Sequence, residues 1–511
     1  MMLLRKLTAT YLFVCMSVSG LCAPVLLHAN QDPQSQFTKT ATYKIKDIID
    51  LGGEEVRIPA GSKLKFLGGR ICNGTVILDD ALLAGDVKLL SAVKGSVRNS
   101  SIDADWFIEG NDMDPLYKNG VFYLDGYSTM SFSRKEYVSS VRKRTDGLAI
   151  KNVTIEGDST IIRAKESGTT LESLFSLNKS ENVVVRGITF VGSKVNSDEE
   201  GGRHNVCISN SENIYLFDVK SYDAFTDGLY IRGSNHVVIE NLVAARSGRQ
   251  GCSITKGSDI SIKNSEFSGS YRVAPKSGLD IEPSNRNDIV DNIRITGCKF
   301  NDNASNGLVI HLKACDTVED CNIEVSDCSF NNNNVNIALR SSSNSGKGVI
   351  RISGCSLNNS KAVSFQSKCY SIKNTPSVVF EDSSISNANL SGGKDVRENA
   401  SMLSVHNVSS SSVSSGYGNI EIRNIRFHQD KDKIGKIGRI ICLYDSNNAG
   451  AHLDNVILDG IEVDEETSAS GVNKVYMPKA MKYDNGKSFK TSEVLKNRFE
   501  IKGGAVMTKH N

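Results

Sequence analysis

Four stretches, Gly228-Leu-Tyr-Ile, Gly251-Cys-Ser-Ile, Gly278-Leu-Asp-Ile and Gly307-Leu-Val-Ile, repeat one short strand at intervals of 23, 27 and 29 residues. In each, the second and fourth residues are apolar, so Leu229/Ile231, Cys252/Ile254, Leu279/Ile281 and Leu308/Ile310 face one way. Side chains alternate across a strand, so the residues between them face the other way. A strand recurring at this period predicts a solenoid with one turn of chain per repeat. The outward residues then form two rows: Tyr230, Ser253, Asp280 and Val309, followed by Arg232, Thr255, Glu282 and His311.

A second motif marks the corners. Gly157, Gly187, Asp218, Asn241, Asn264, Gly297, Asp327, Gly354, Asp382, Asn424 and Gly460 each follow an apolar strand. Gly, Asn and Asp tolerate the left-handed backbone that a sharp corner requires. Three residues later come Phe190, Ser221, Ala244, Phe267, Phe300, Phe330, Leu357, Ile385, Phe427 and Val463, which predicts an inward stack with two small members. Corner intervals range from 23 to 42 residues. The shortest are too short for a propeller blade, and no leucine-rich pattern recurs. The expectation is an all-β, parallel β-helix with an N-terminal cap and looped-out insertions. Cys298, Cys328 and Cys355 share a repeat position and are expected to stack as small buried groups. Cys315 and Cys321 are the best disulfide pair, and no zinc spacing is present.

Residues 1–29 read as a secretory signal: Arg5 and Lys6 precede an apolar run from Leu7 to Leu27, with cleavage after Ala23 or Ala29. Thr, Ser and Gly interrupt the run and argue against a membrane anchor, and Leu21 argues against lipidation at Cys22. No second long apolar run follows, so the expected location is secreted, periplasmic or cell envelope, with no integral membrane segment after signal removal. A net charge of +2 makes no case for nucleic acid. The divisions expected are a cap and first coils over 30–149, a core β-helix over 150–390 and late coils with a Ser-rich loop over 391–472. A tail or C-terminal cap follows over 473–511. Gly120–Val138 reads as further strand, with Ser131–Arg144 as an alternative short helix.

The coils from about 150 to 390 resemble the pectate-lyase-like right-handed parallel β-helix superfamily. That superfamily includes polysaccharide lyases, polygalacturonase-type hydrolases, uronan epimerases and phage tailspikes. The region around Gly68-Gly69, Asn73-Gly-Thr75 and Trp106-Phe107 is similar to the leader of exported bacterial members. The resemblance implies an exported polysaccharide-active protein. Thr226-Asp227-Gly228 resembles a polygalacturonase turn, which implies a catalytic role for Asp227. The paired Asp expected one coil later is replaced by Arg249-Gln250-Gly251-Cys252, and the family's Gly-His-Gly has no copy.

On the residues themselves, Asp280 and Glu282 are two apart on one strand and are expected to face outward together. They are the candidate carboxylates of a glycoside hydrolase, with Asp227 assisting. Arg249, Gln250, Lys276, Tyr230, Arg232 and His311 are the candidate substrate-binding residues. A lyase or epimerase acting on an acidic glycan uses the same patch differently. Arg249, Lys276 or Arg232 then binds the sugar carboxylate, Lys276, Arg249 or His311 is the base, and Tyr230 is the acid. Asp227, Asp280 and Glu282 are the candidate ligands if Ca²⁺ takes part. A third reading is a non-catalytic glycan-binding or adhesive solenoid. The loops Ser193–Asn205 and Ser268–Ser277 are expected to flank the patch, bringing Glu199, Glu200, Arg203, His204, Tyr271 and Arg272. Glu282→Gln and Asp280→Asn are each expected to abolish turnover while leaving thermal stability nearly unchanged.

Overall fold

The computed structural model describes residues 24–29, 31–143, 146–165, 172–193, 203–312, 321–341, 348–369, 376–392, 401–407, 420–433, 437–445, 456–464, 467, 473–476, 481–482, 488–489 and 501–502. Most of the signal segment, Glu199, Glu200 and Cys315 lie outside them. The chain forms two compact units, one of residues 1–99 with 124–126 and one of residues 100–123 with 127–511. In the first, parallel strands Thr42–Ile45 and Lys63–Phe66 pair in turn with Arg70–Gly85, stacking Tyr43, Leu64 and Leu83 in its core.

The second unit is a parallel β-helix. Its rungs register as the repeat predicts: Val206, Leu229, Cys252, Leu279, Leu308, Ile337 and Phe365 lie directly over one another. All are buried, as are Ile231, Ile254, Ile281 and Ile310 beside them. The expected Phe190-to-Val463 column is continuous, one residue per coil. Phe300 and Phe330 stack with centroids 4.6 Å apart. Burial of each such ring contributes about 1.5–3 kcal/mol. The Cys298, Cys328 and Cys355 thiols are free and buried, and Cys298 N–H donates to Cys328 Sγ at 3.3 Å. Gly120–Val138 contains the short 3₁₀ turn Val121–Tyr123 as well as strand, and 136–143 forms strands Glu136–Ser139 and Arg142–Lys143.

The leading Gly of each repeat has a steric cause. A Cβ on Gly228, Gly251, Gly278 or Gly307 would lie 2.6–2.7 Å from a backbone carbonyl oxygen of the next coil. Glycine avoids that clash in these four rungs.

Ten of the eleven expected corners have positive φ, from Gly187 to Gly460. Gly157 does not. A bulge between Glu156 and Thr160 moves that corner to Ser159, at φ 58°. Among the described residues, no helix is long and apolar enough to cross a membrane.

Gly297 has φ +66°, and a Cβ there would lie 2.7 Å from Asn264 Oδ1. Gly297→Val is expected to lower stability by more than ~1 kcal/mol, read from denaturant unfolding. An unchanged midpoint would show that the corner does not need glycine.

Candidate active site

Four successive coils of one wall each contribute to a single polar chain of contacts. They enter through strands Asp227–Glu240, Gln250–Lys263, Ser277–Ile281 and Asn306–Leu312. Register places Gln250 over Asp227, and Asp280 over Ser253 and Tyr230. Glu282 and His311 follow Ile281 and Ile310, which face each other. The stacking therefore brings together Asp227, Arg249, Gln250, Asp280, Glu282 and His311.

The row is not the solvated face expected from alternation. Asp227 is 0% exposed and Asp280 1%, and Gln250, Tyr230 and Ser253 are also buried. The turns leading into these strands stack as closely as the strands do. Thr226 N–H donates to the Arg203 carbonyl and Arg249 N–H to the Thr226 carbonyl, both at 2.9 Å. Arg203 and Arg272 guanidinium groups each lie 4.2 Å from the centroid of the Phe225 ring, closing that rim.

Asp227 is consumed by this rim. Arg249 grips it with two bonds, Nε to Oδ1 at 2.8 Å and Nη2 to Oδ2 at 2.6 Å. His204 Nδ1 lies 3.2 Å from Oδ2, and the His204 ring stacks on Tyr230 with centroids 4.3 Å apart. Burial alone would raise the Asp227 carboxyl, but Arg249 and His204 overcome it and hold it at about 2. Asp227 is thus a buried counter-ion, not an accessible catalytic carboxylate. The Asp227 charge in turn raises Arg249. The Arg249 side chain is 31% exposed and its third nitrogen, Nη1, makes no hydrogen bond among the described residues.

Asp280 is in a different state. Gln250 Nε2 donates to its Oδ2, while its Oδ1 is buried and receives no N–H or O–H donor. The Glu282 carboxyl stands two residues on in the chain and acts on it as a like charge. Burial first, and the Glu282 charge second, push Asp280 well above the usual carboxylate range. Glu282 moves the other way, lowered chiefly by its hydrogen bond with His311 against the effect of burial. Of the two carboxyls, Asp280 is the one pushed towards its protonated form and Glu282 the one held as an anion.

Glu282 is the outlet of the chain. Its side chain is 42% exposed, and its Oε1 lies 2.9 Å from His311 Nδ1. A carboxylate at Nδ1 selects the tautomer with the proton there and leaves Nε2 as the basic nitrogen. That Nε2 has no hydrogen-bond partner among the described residues, and the side chain is 23% exposed.

The remaining candidates sit as follows. Tyr230 is buried and its hydroxyl accepts from Thr255 Oγ1 at 3.2 Å, so it is not poised at the surface as an acid. Lys276 is half-buried with a left-handed backbone, φ 56°, and makes no ion pair among the described residues. Arg232 is exposed, but register slips beside it, so it opposes Lys256 rather than Thr255. His204 belongs to the site although it had been placed in a flanking loop. It stands 23 residues before Asp227, the repeat interval, in a coil without the leading glycine.

The three carboxylates do not fit Ca²⁺. Arg249 occupies both oxygens of Asp227, and Gln250 Nε2 donates to Asp280 Oδ2. Among the described residues, no group of three or more His, Cys, Asp and Glu is arranged to hold a metal.

A family model for a right-handed β-helix region matches residues 173–362. This segment is a right-handed β-helix. Solved structures similar to the chain include the A-module of mannuronan C-5 epimerase AlgE6 from Azotobacter vinelandii. It is 14% identical over 71% of this chain and 95% of that one, with a TM-score of 0.41. The tailspike gp49 of Acinetobacter baumannii bacteriophage Fri1, a capsular polysaccharide depolymerase, is 13% identical over 79% and 67%, with a TM-score of 0.42. The adhesin PfbA of Streptococcus pneumoniae is 9% identical over 71% and 91%, with a TM-score of 0.38. No curated protein matches the chain. At these identities the likeness concerns the β-helix alone.

Two stability effects follow. The lowered Asp227 carboxyl contributes stability above the unfolded value near ~3.9 and loses it as pH falls towards 2. Arg249→Met removes its partner and is expected to cost about 3–5 kcal/mol at pH 7. Asp280 has the opposite sign: its raised value costs stability as pH rises through the range above ~3.9. Asp280→Asn, a mimic of the protonated group, is expected to raise the melting temperature at pH 7 relative to pH 4. This replaces the expectation of unchanged stability. A fall at pH 7 would show that Asp280 is held ionised.

Proposed function

We propose that this β-helix is an exported enzyme acting on an acidic polysaccharide, with His311 as a general base. The carrying observation is the contact between Glu282 and His311 at 2.9 Å, with buried Asp280 behind it. Glu282 orients His311 and stabilises its charged form after it takes a proton. Asp280 and Gln250 hold Glu282 from behind.

The arrangement favours proton abstraction over hydrolysis by separated carboxylates. A retaining pair stands about 5–5.5 Å apart and an inverting pair about 6.5–9.5 Å. Asp280 is buried while the Glu282 side chain is 42% exposed, so one carboxyl of the two is accessible to a sugar rather than both.

In this reading the sugar carboxylate meets Arg249, through Nη1, and Lys276. Their charge acidifies the C–H bond next to that carboxylate. His311 Nε2 takes the proton. The C–H electron pair becomes a ring double bond as the glycosidic C–O bond breaks, and the departing oxygen is protonated from solvent. Protonation of the opposite face from solvent, without loss of the leaving group, is epimerisation begun by the same base, which then gives its proton to solvent.

His311→Ala is expected to lower kcat by about 10²–10⁴-fold on an acidic polysaccharide that the wild-type protein turns over. Products are read as absorbance of an unsaturated uronate, as altered sugar configuration by NMR, or as new reducing ends alone. The last outcome selects hydrolysis. Binding of glycans with no product from any of them selects an adhesive role. Full activity in His311→Ala would remove the base from the account.

A further inference from the structure

The strand that follows each active-site rung forms a separate wall. Its buried column runs through Ile214, Val237, Ile260, Ile293 and Ile323, apart from the Val206-to-Phe365 column beside the His311 centre. The outward residues of this second wall form two rows. One runs through Thr154, Val184, Tyr215, Val238, Ser261 and Arg294. The other runs through Glu156, Arg186, Phe217, Glu240 and Lys263. In these two rows only Tyr215 and Phe217 are aromatic.

Packing of the core does not account for this pair. Tyr215 and Phe217 alternate with buried Ile214 and Leu216, so both face outward and stay half-buried. Their rings are nearly parallel, with an interplanar angle of 23° and centroids 6.2 Å apart. Half-buried Val184 and Val238 stand beside Tyr215 on the neighbouring rungs, and Arg186 and Glu240 stand beside Phe217. Arg186 gives Nε and Nη2 to Glu156, which leaves Nη1 without a partner among the described residues. The Glu240 carboxyl and the Tyr215 hydroxyl likewise make no hydrogen bond among the described residues. A groove of about 490 Å³ opens at Arg186 and at Asp218, the residue after Phe217. Its polar lining is Ser131, Ser133, Glu156, Asp158, Arg186 and Asp218.

We infer that Tyr215, Phe217 and this groove form a second binding site, on a wall away from His311, that takes a neutral oligosaccharide. A sugar ring presents C–H groups on its face and hydroxyls round its edge. The two aromatic rings and the two valines match the face. Arg186 Nη1 offers a donor and Glu240 an acceptor to the hydroxyls at the edge. Glu156, Asp158 and Asp218 outnumber the one cation of the groove, and Arg186 is already paired with Glu156, so a sugar that carries a carboxylate is disfavoured. The site thus selects a different glycan from the acidic polymer proposed for His311 and stands independently of that reading. A protein partner would need far more: a stable interface buries about 800 Å² on each side, and here the apolar surface is four half-buried side chains.

The test titrates the wild-type protein and Tyr215→Leu/Phe217→Leu by calorimetry with cellohexaose, mannohexaose, xylohexaose, maltohexaose and hexagalacturonate. Leucine keeps the apolar cover and removes the rings. At least one neutral hexamer is expected to bind the wild-type protein, and to bind the double variant at least about tenfold more weakly. Hexagalacturonate is expected to give the same heat with both proteins. Arg186→Gln/Glu240→Gln, which leaves both rings in place, is expected to weaken the same neutral hexamer, so the test does not hinge on the folding of one variant. Melting temperatures check that both are folded. No heat from any neutral hexamer, equal affinity in all three proteins, or a preference for hexagalacturonate that is lost with the rings would each overturn the site. So would self-association in sedimentation that the leucine variant abolishes, which would make the face a contact between copies of the chain. His311→Ala is expected to bind the neutral hexamer as the wild-type protein does, so this site and the His311 centre fail separately.

Discussion

Parallel backbone hydrogen bonding holds each repeat position at the same place in coil after coil, and the rest of the molecule depends on that register. It requires that the backbones approach closely at the entry to each rung. Gly228, Gly251, Gly278 and Gly307 stand where a side-chain carbon would meet the carbonyl oxygen of the next coil. Left-handed corners from Gly187 to Gly460 then return the chain to the same starting point. Residues about thirty positions apart become neighbours, which is how Gln250, Asp280 and His311 meet in one chain of contacts.

Close stacking also decides the electrostatics. The turns that precede the rungs pack against each other, and the acids behind them leave water. A buried carboxylate must be paired or protonated, and the site contains both solutions side by side. Asp227 remains charged because Arg249 spans its two oxygens. Asp280 receives only the Gln250 amide at one oxygen, and burial with the Glu282 charge pushes it above the usual carboxylate range despite Arg249. Glu282 is then the one anion of the chain with an open side, and His311 is the group through which that charge acts on a ligand.

Much of the fold was legible in the sequence because its signals are local. Gly, Asn and Asp at corners report backbone conformation directly, and the Phe190-to-Val463 column follows from counting three residues on. The misplaced corner at Gly157 has a local cause too: a bulge hands the left-handed position to Ser159, and no composition rule marks a bulge. The site was half legible. Its membership followed from repeat position, but its burial did not, since alternation tells which side a residue faces and not what neighbouring turns cover it. Arg232 was misaligned by a one-residue slip. His204 reads as part of a flanking loop rather than a rung because its coil lacks the glycine that defined the repeat, although its distance from Asp227 equals the shortest interval.

The account turns on one proton position: a neutral imidazole at 311 held with its hydrogen on Nδ1 by the Glu282 carboxylate. Nitrogen-15 NMR of histidine-labelled protein at a pH where His311 is neutral reads that tautomer directly. The account predicts Nδ1–H in the wild-type protein and a shift towards the other tautomer in Glu282→Gln. A wild-type ring protonated on Nε2, or a tautomer indifferent to Glu282→Gln, would contradict it.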